Sequence, residues 1–286
     1  MQNTWIQIER TYKDVLSSIY DQDEIQAIYN MVLQDIFEIK PAEYILIKEH
    51  EIQADKLDKI STILSELQQG RPVQHIIGKA YFYGHDFHVN EHTLIPRPET
   101  EELVHKIIAD HKNKADLKII DIGTGTGCIP ISLGKKLVGS TLWAVDISNE
   151  ALQVAKTNSQ QLNQDVHFIS ADILEWEYIF SEKQHFDIIV SNPPYITPEE
   201  KQDMHINVLS FEPHTALFVE QTAPLIFYDY IADFAKFHLK DNGALYFEIN
   251  QYLSQQTKDL LVKKGFNHVE IIKDINGADR IIKAQF

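Results

Sequence analysis

Four consecutive residues, Asn192-Pro193-Pro194-Tyr195, combine a carboxamide, two fixed φ angles and an aromatic ring. Each proline locks its own φ and carries no N–H. A residue that precedes a proline is driven toward the extended region, and this applies to Asn192. The product is a stiff corner. It offers an amide oxygen, a backbone carbonyl that no neighbouring N–H needs, and a ring face. Two oxygens placed in this way can accept both hydrogens of a planar NH2 group. The same residues also read as a plain strand terminator with a structural Pro-Pro turn, so the motif alone leaves both uses open.

A second group lies upstream, in LKIIDIGTGTGC over residues 117–128. Here a buried strand leads to Asp121, then to Gly123, Gly125 and Gly127, then to a helix. Glycines let the backbone turn sharply and approach a ligand, and the helix behind them supplies free N–H groups. The spacing is not that of a dinucleotide fingerprint, whose third glycine would stand at Cys128 rather than at Gly127. That disfavours an NAD oxidoreductase. The Gly-Lys-Ser/Thr of a phosphate loop is also absent. Asp121 before the first glycine would repel a pyrophosphate and attract a cation, which suits a cofactor with a positively charged amino-acid tail and a sulfonium. Asp146 closes the next strand, TLWAVDIS, where an acid commonly takes a ribose diol. Asp172 closes the third, VHFISAD, and is placed to accept from an adenine amino group. Alternatively, each acid caps the helix that follows it.

These groups need strands to hold them. The segment FDIIV, residues 186–190, reads as a buried strand running straight into the Asn192 corner. Further strands are expected at 117–122, 141–145, 166–169, 244–249, 267–273 and 280–285, with helices at 126–136, 149–161, 224–240 and 251–263. Such alternation predicts an α/β fold: a seven-stranded, mostly parallel Rossmann-like sheet with helices on both faces. Ligands bind such sheets beyond the carboxyl ends of the strands, where all three acids fall. Residues 1–72 carry apolar positions at helical spacing and read as a separate helical bundle, without clustered acid or base residues. YFYGHDFHV alternates around Gly84 and predicts a linking β-hairpin within 73–96, leaving 97–286 as the catalytic domain. LIPRPETEELV then opens a helix whose acidic first turn suits the helix dipole.

Bulk properties narrow the class. The chain has 286 residues, 44% of them hydrophobic, enough for a sizeable core. The net charge of −16 and the scattered lysines and arginines argue against a tight grip on nucleic acid. No apolar run approaches the roughly 20 residues of a membrane span, and the first residues lack signal-peptide character. One cysteine, Cys128, excludes disulfides within the chain, and a cytoplasmic protein is expected. Cys128 is expected to pack in the first turn of its helix. The 13 histidines show no metal-ligand spacing, so no metal is expected.

Taken together, LIPRPETEELV, DIGTGTGCIPISL, AVDISNEALQVAKTN, SNPPYI, FEPHTALF, YFEINQ and GADRII resemble the release-factor glutamine methyltransferases (the HemK/PrmC family) among the class I S-adenosylmethionine-dependent methyltransferases. The resemblance covers residues 73–286, and an N-terminal helical bundle also fits it. It implies transfer of a methyl group from S-adenosylmethionine to the side-chain nitrogen of the glutamine in the Gly-Gly-Gln loop of peptide chain release factors. The product would be S-adenosylhomocysteine, and the bundle would form part of the docking surface for the release factor. Expected cofactor contacts are Asp121, Gly123, Thr124, Gly125, Gly127, Asp146, Ile147, Asp172 and Asn192. Asn192, Pro193 and Tyr195 are the expected catalytic residues, with Pro194, Arg97 and Glu99 added for substrate binding. Tyr195 reads equally as a wall residue, and Arg97 with Glu99 as an anchoring pair. Glu248 is a candidate for support behind the site. A monomer is expected. The rival activity is methylation of the N6 amine of adenine in a nucleic acid, since the Asn192 corner serves an exocyclic amine equally well; a silent scaffold is the other.

Overall fold

The computed structural model describes residues 3–181 and 184–286. It divides into two compact units, Met1–Lys79 with His205–Phe211, and Ala80–Met204 with Glu212–Phe286.

The first unit is helical: α1 Trp5–Leu16, α2 Gln22–Phe37, α3 Pro41–Ile47, α4 Ala54–Gln68 and α5 Val73–Ile77. Local chemistry sets the ends. Thr4 and Gln7 form a capping box on α1, and Asp21 caps α2 by accepting from the Glu24 N–H at 2.8 Å. Pro41 stands in the first turn of α3, where its missing N–H costs nothing. Trp5, Tyr12, Leu16, Tyr29, Leu33 and Leu67 fill the core, and the buried Tyr29 hydroxyl donates to the Trp5 carbonyl at 2.8 Å. A short helix over Ile206–Phe211 belongs to this unit. His205 contacts the Ile19 carbonyl at 2.8 Å, and the Asn207 amide donates to the Tyr20 hydroxyl at 3.2 Å. The sequence reading, with its domain beginning at 97, has no counterpart for this excursion, because the ties are side-chain bonds across nearly 190 residues of sequence.

The second unit opens with the hairpin β1 Lys79–Phe82 and β2 His85–His88. It is shorter than the 73–96 segment expected, because Val73–Ile77 is helical and ends on Gly78 in the left-handed region. The chain continues through α6 Pro98–His111, β3 Lys118–Ile122, α7 Cys128–Lys136, β4 Thr141–Asp146, α8 Asn149–Gln161, β5 Val166–Ser170, β6 Phe186–Ser191, α9 Ile206–Phe211, α10 Ile226–His238, β7 Leu239–Glu248, α11 Ser254–Lys263, β8 His268–Lys273 and β9 Asp279–Gln285. The seven-stranded sheet runs β5-β4-β3-β6-β7-β9-β8. Its first five members are parallel, and β9 is antiparallel to both neighbours. The predicted fold class is therefore correct. Element bounds differ most at two places. The helix expected over 224–240 ends at His238, and β7 starts immediately at Leu239, pairing with Phe186 before a register shift. The expected helix over 251–263 begins as a 3₁₀ turn and becomes α-helical at Ser254.

Strand residues alternate between two cores, as the pleat requires. Ile120, Ile122, Ile189, Leu245 and Phe247 face one side with Tyr228, Ile231 and Phe234 of α10. Ile119, Ile188, Val190, Ala244 and Tyr246 face the other with Leu103 and Ile107 of α6 and Ile131 of α7. Both faces of β3 and β6 are therefore covered, and their free carboxyl ends come side by side. Among the described residues, no helix is long and apolar enough to cross a membrane.

Candidate active site

The ends of β3 and β6 are paired through Ile122 and Ser191, and the Ser191 hydroxyl donates to the Ile122 carbonyl at 2.6 Å. This joins the glycine loop to the Asn192 corner. The loop is also tied to β4, because the Gly123 and Thr124 N–H groups both donate to the Val145 carbonyl, at 2.8 and 3.0 Å. Asn158 on α8 completes the frame. It is fully buried, exchanges both amide ends with the His88 backbone, and donates to the Thr126 carbonyl at 2.9 Å.

Gly127 shows why a glycine stands where the fingerprint spacing fails. Its φ is 77°, and an added Cβ would lie 3.1 Å from Ile131 Cδ1 and 3.2 Å from Ala155 Cβ. This glycine serves packing of the first turn of α7. Gly123 and Gly125 differ: an added Cβ there would meet nothing within 4 Å. That open space belongs to a cavity of about 530 Å³ at the strand ends.

The cavity is lined by Gly123, Gly125, Asp146, Ile147, Asp172, Asn192, Pro193 and Pro194, so eight of the expected residues converge. Asp146 Oδ2 accepts from the Gly125 N–H at 2.8 Å, and Oδ1 from the Ser148 N–H at 3.0 Å. Burial pushes its pKa upward. Asp172 caps the turn after β5 through the Leu174 N–H at 2.9 Å and also lines the cavity.

Other expected residues lie behind the wall. Asp121 is fully buried, and its carboxyl is pushed up to about 7 by desolvation, aided by the Asp146 charge and opposed by the Thr124 hydroxyl that donates to it at 2.6 Å. Its other oxygen has no partner among the described residues. Thr124 and Gly127 are likewise absent from the lining. Arg97 and Glu99 do not line it either. Arg97 is paired not with Glu99 but with Glu212, at 2.5 Å. Cys128 is buried in the first turn of α7, and its thiol is pushed up to about 12.

Sequence reading named Glu248 as a support but missed the network that joins it to the corner. Glu248 at the end of β7 is 1% exposed. One oxygen accepts from the Thr100 hydroxyl at 2.7 Å and the other from the Tyr195 hydroxyl at 3.1 Å. Thr100 in turn receives the Asn192 side-chain N–H at 3.2 Å. Asn250 donates to the Tyr195 carbonyl at 3.1 Å and to Glu200. Tyr195 is thus held from both ends and does not line the cavity. The signal was present in PETE and YFEIN, but only the folded chain shows that those stretches meet. Among the described residues, no cluster of His, Cys, Asp or Glu has the makings of a metal site.

The chain matches the family described as Methyltransferase small domain over residues 100–217 and the PrmC N-terminal domain over residues 9–78. It is 44% identical to a release factor glutamine methyltransferase of Flavobacterium psychrophilum, covering 96% of each chain. It is 40% identical to one of Bacteroides thetaiotaomicron, over 94% of this chain and 95% of that one. Among solved structures, a methyltransferase from Pyrococcus furiosus superposes with a TM-score of 0.50 at 16% identity, covering 81% of this chain and 98% of that one. The 16S rRNA N2 G1207 methyltransferase of Thermus thermophilus, in complex with AdoMet and guanosine, gives 0.52 at 17% identity, covering 72% of this chain and 49% of that one. Those two likenesses establish the fold alone. The full-length identities do more, and with a cavity at the strand ends beneath the Asn192 corner they place the chain in the release factor glutamine methyltransferase family.

Proposed function

We propose that this enzyme methylates the side-chain amide nitrogen of the glutamine in the Gly-Gly-Gln motif of peptide chain release factors, with S-adenosylmethionine as donor. The observation that carries this reading is the placement of Asn192 and Pro193, each with an oxygen able to accept, among the residues that line the cavity. Asn192 commits its N–H end to Thr100, which leaves Oδ1 as its acceptor. Among the described residues, no donor occupies the Pro193 carbonyl.

The residues fit the cofactor. Gly123 and Gly125 leave open space for a ligand, and two carboxylates, Asp146 and Asp172, stand at the ends of β4 and β5. Asp146 would hold the ribose hydroxyls and Asp172 the adenine amine. Ile147, 61% exposed beside the cavity, offers an apolar surface for the base. Asp121 stands behind the loop, outside the cavity lining, with one oxygen left without a partner among the described residues. When bound, S-adenosylmethionine supplies an electrophilic methyl group.

An amide nitrogen is a poor nucleophile, because its lone pair is shared with the carbonyl; the ~18–20 kcal/mol rotation barrier reflects that sharing. Two accepted hydrogen bonds, worth ~0.5–1.5 kcal/mol each in ordinary settings, do not abolish it. Correct alignment of reacting atoms is worth about 7–11 kcal/mol. The Asn192 corner therefore acts chiefly by positioning. Its two oxygens also face the positive charge that develops on nitrogen. Release factors are the proposed partner, the first unit their docking surface, and the cytoplasm the compartment. The net charge of −16 speaks against adenine in nucleic acid as the target.

Mass spectrometry of a release factor incubated with this protein and S-adenosylmethionine tests the reading. One added methyl group on the Gly-Gly-Gln glutamine is expected. An unmodified glutamine, with label transferred instead to duplex DNA, would overturn it.

A further inference from the structure

A carboxamide has an acceptor at one end and donors at the other, in nearly the same shape. Asn192 can receive N–H groups only if its oxygen faces the substrate; a half-turn would set NH2 against NH2. The choice of end is made on the buried side. Thr100 Oγ1 donates to Glu248 Oε2 at 2.7 Å and accepts from Asn192 Nδ2 at 3.2 Å. An ionised carboxylate only accepts. With the hydroxyl proton directed at Glu248, only lone pairs remain for Asn192. Thr100 and Glu248 are 3% and 1% exposed, so water does not compete for these bonds.

From this relay we infer that Thr100 and Glu248 are positioning residues that fix which end of the Asn192 carboxamide meets the substrate, and so make the site select an amide over a carboxylate. The inference rests on the reading that Asn192 grips the substrate amide. Its consequence is discrimination between glutamine and glutamate, two side chains of almost equal size. Glutamate offers no N–H, and the fixed Oδ1 repels its oxygens. Burial raises the pKa of Glu248 and the Glu99 charge adds to the rise, while the two donated hydrogen bonds and the positive charge of Arg280 oppose it without cancelling it.

The experiment measures KM for a release factor carrying Gly-Gly-Gln and the inhibition constant of the same factor carrying Gly-Gly-Glu. In Thr100→Val the ratio of the two should narrow by about 5- to 10-fold, the worth of one hydrogen bond of changed polarity. Thr100→Ser keeps the hydroxyl and should restore it. A merely structural loss would change turnover and leave the ratio alone. Wild-type discrimination in Thr100→Val overturns the inference. Should that variant fail to fold, the side-chain amide of Asn192 in ¹⁵N spectra of the unaltered protein decides: slow exchange of its protons supports the relay, and free exchange overturns it. Asn192→Ala separates the two levels. If it turns over normally, the amide-grip reading itself is wrong; if it is inactive while Thr100→Val discriminates as wild type, only the relay is.

Discussion

Arg97 and Glu212 stand 115 residues apart in sequence and form a 2.5 Å ion pair. The Glu212 side chain is 1% exposed, and its second oxygen accepts from the Ile95 N–H at 3.0 Å. The pair therefore fastens the stretch before α6, which contributes Thr93 and Leu94 to the cavity wall. Arg97→Ala should leave a buried carboxylate short of a partner and cost about 1–3 kcal/mol in chemical unfolding. A loss of substrate affinity with unchanged stability would instead give Arg97 the substrate role read from sequence.

Asn192→Ala should bind S-adenosylmethionine as the wild type does in calorimetry, yet lose methyl transfer by about 100-fold or more, the usual toll for removing one preorganised polar contact. Near-normal turnover would end the amide-grip assignment.

Asp146 organises the glycine loop through the Gly125 N–H. Asp146→Asn keeps the shape but removes a charged acceptor, a loss of about 1.5–3 kcal/mol. Equilibrium dialysis should show cofactor affinity reduced roughly 10- to 100-fold. An unchanged dissociation constant would remove Asp146 from the cofactor site.

Gly127 is confined by its 77° φ and by Ile131 and Ala155. Gly127→Ala should destabilise the fold by about 1–3 kcal/mol, visible as a lower melting temperature. Gly123→Ala should disturb stability less than cofactor binding, because its missing Cβ faces open space.

Burial holds the Asp121 pKa at about 7, above its ordinary 3.8. The folded form therefore retains a proton that the unfolded chain has released. The sign follows from linkage: Asp121 adds stability below the unfolded value, and this is lost as pH rises toward 7. Asp121→Asn, unable to ionise, should flatten that decline. Urea midpoints of both proteins at pH 5 and pH 8 test it; parallel shifts would refute the assignment.

Much of this was legible in the residues. FDIIV and LKII are apolar runs of the kind that strands buried on both faces require, so the sheet followed from composition and punctuation. The three acids were found because each closes a strand. Asp121 was read as facing a ligand, yet it is buried; it stands one residue before the end of β3, successive strand residues alternate faces, and one-dimensional order does not say which face a given position presents. Thr100, Glu212 and Asn250 escaped notice for a different reason. Their roles depend on bonds spanning 92, 115 and 55 positions, and no local pattern encodes such pairings. The start of β7 was missed because Leu239 follows α10 without a turn residue.

β8 reaches the sheet only through β9, which follows it in sequence. During synthesis β8 therefore emerges with no edge to join, while β7 waits exposed on the side that β9 will cover. Neither can settle until the later strand slides between them. An open strand edge of this kind invites pairing with another chain. A polypeptide lacking β9 would leave the outer edge of β7 bare and β8 without any partner in the sheet.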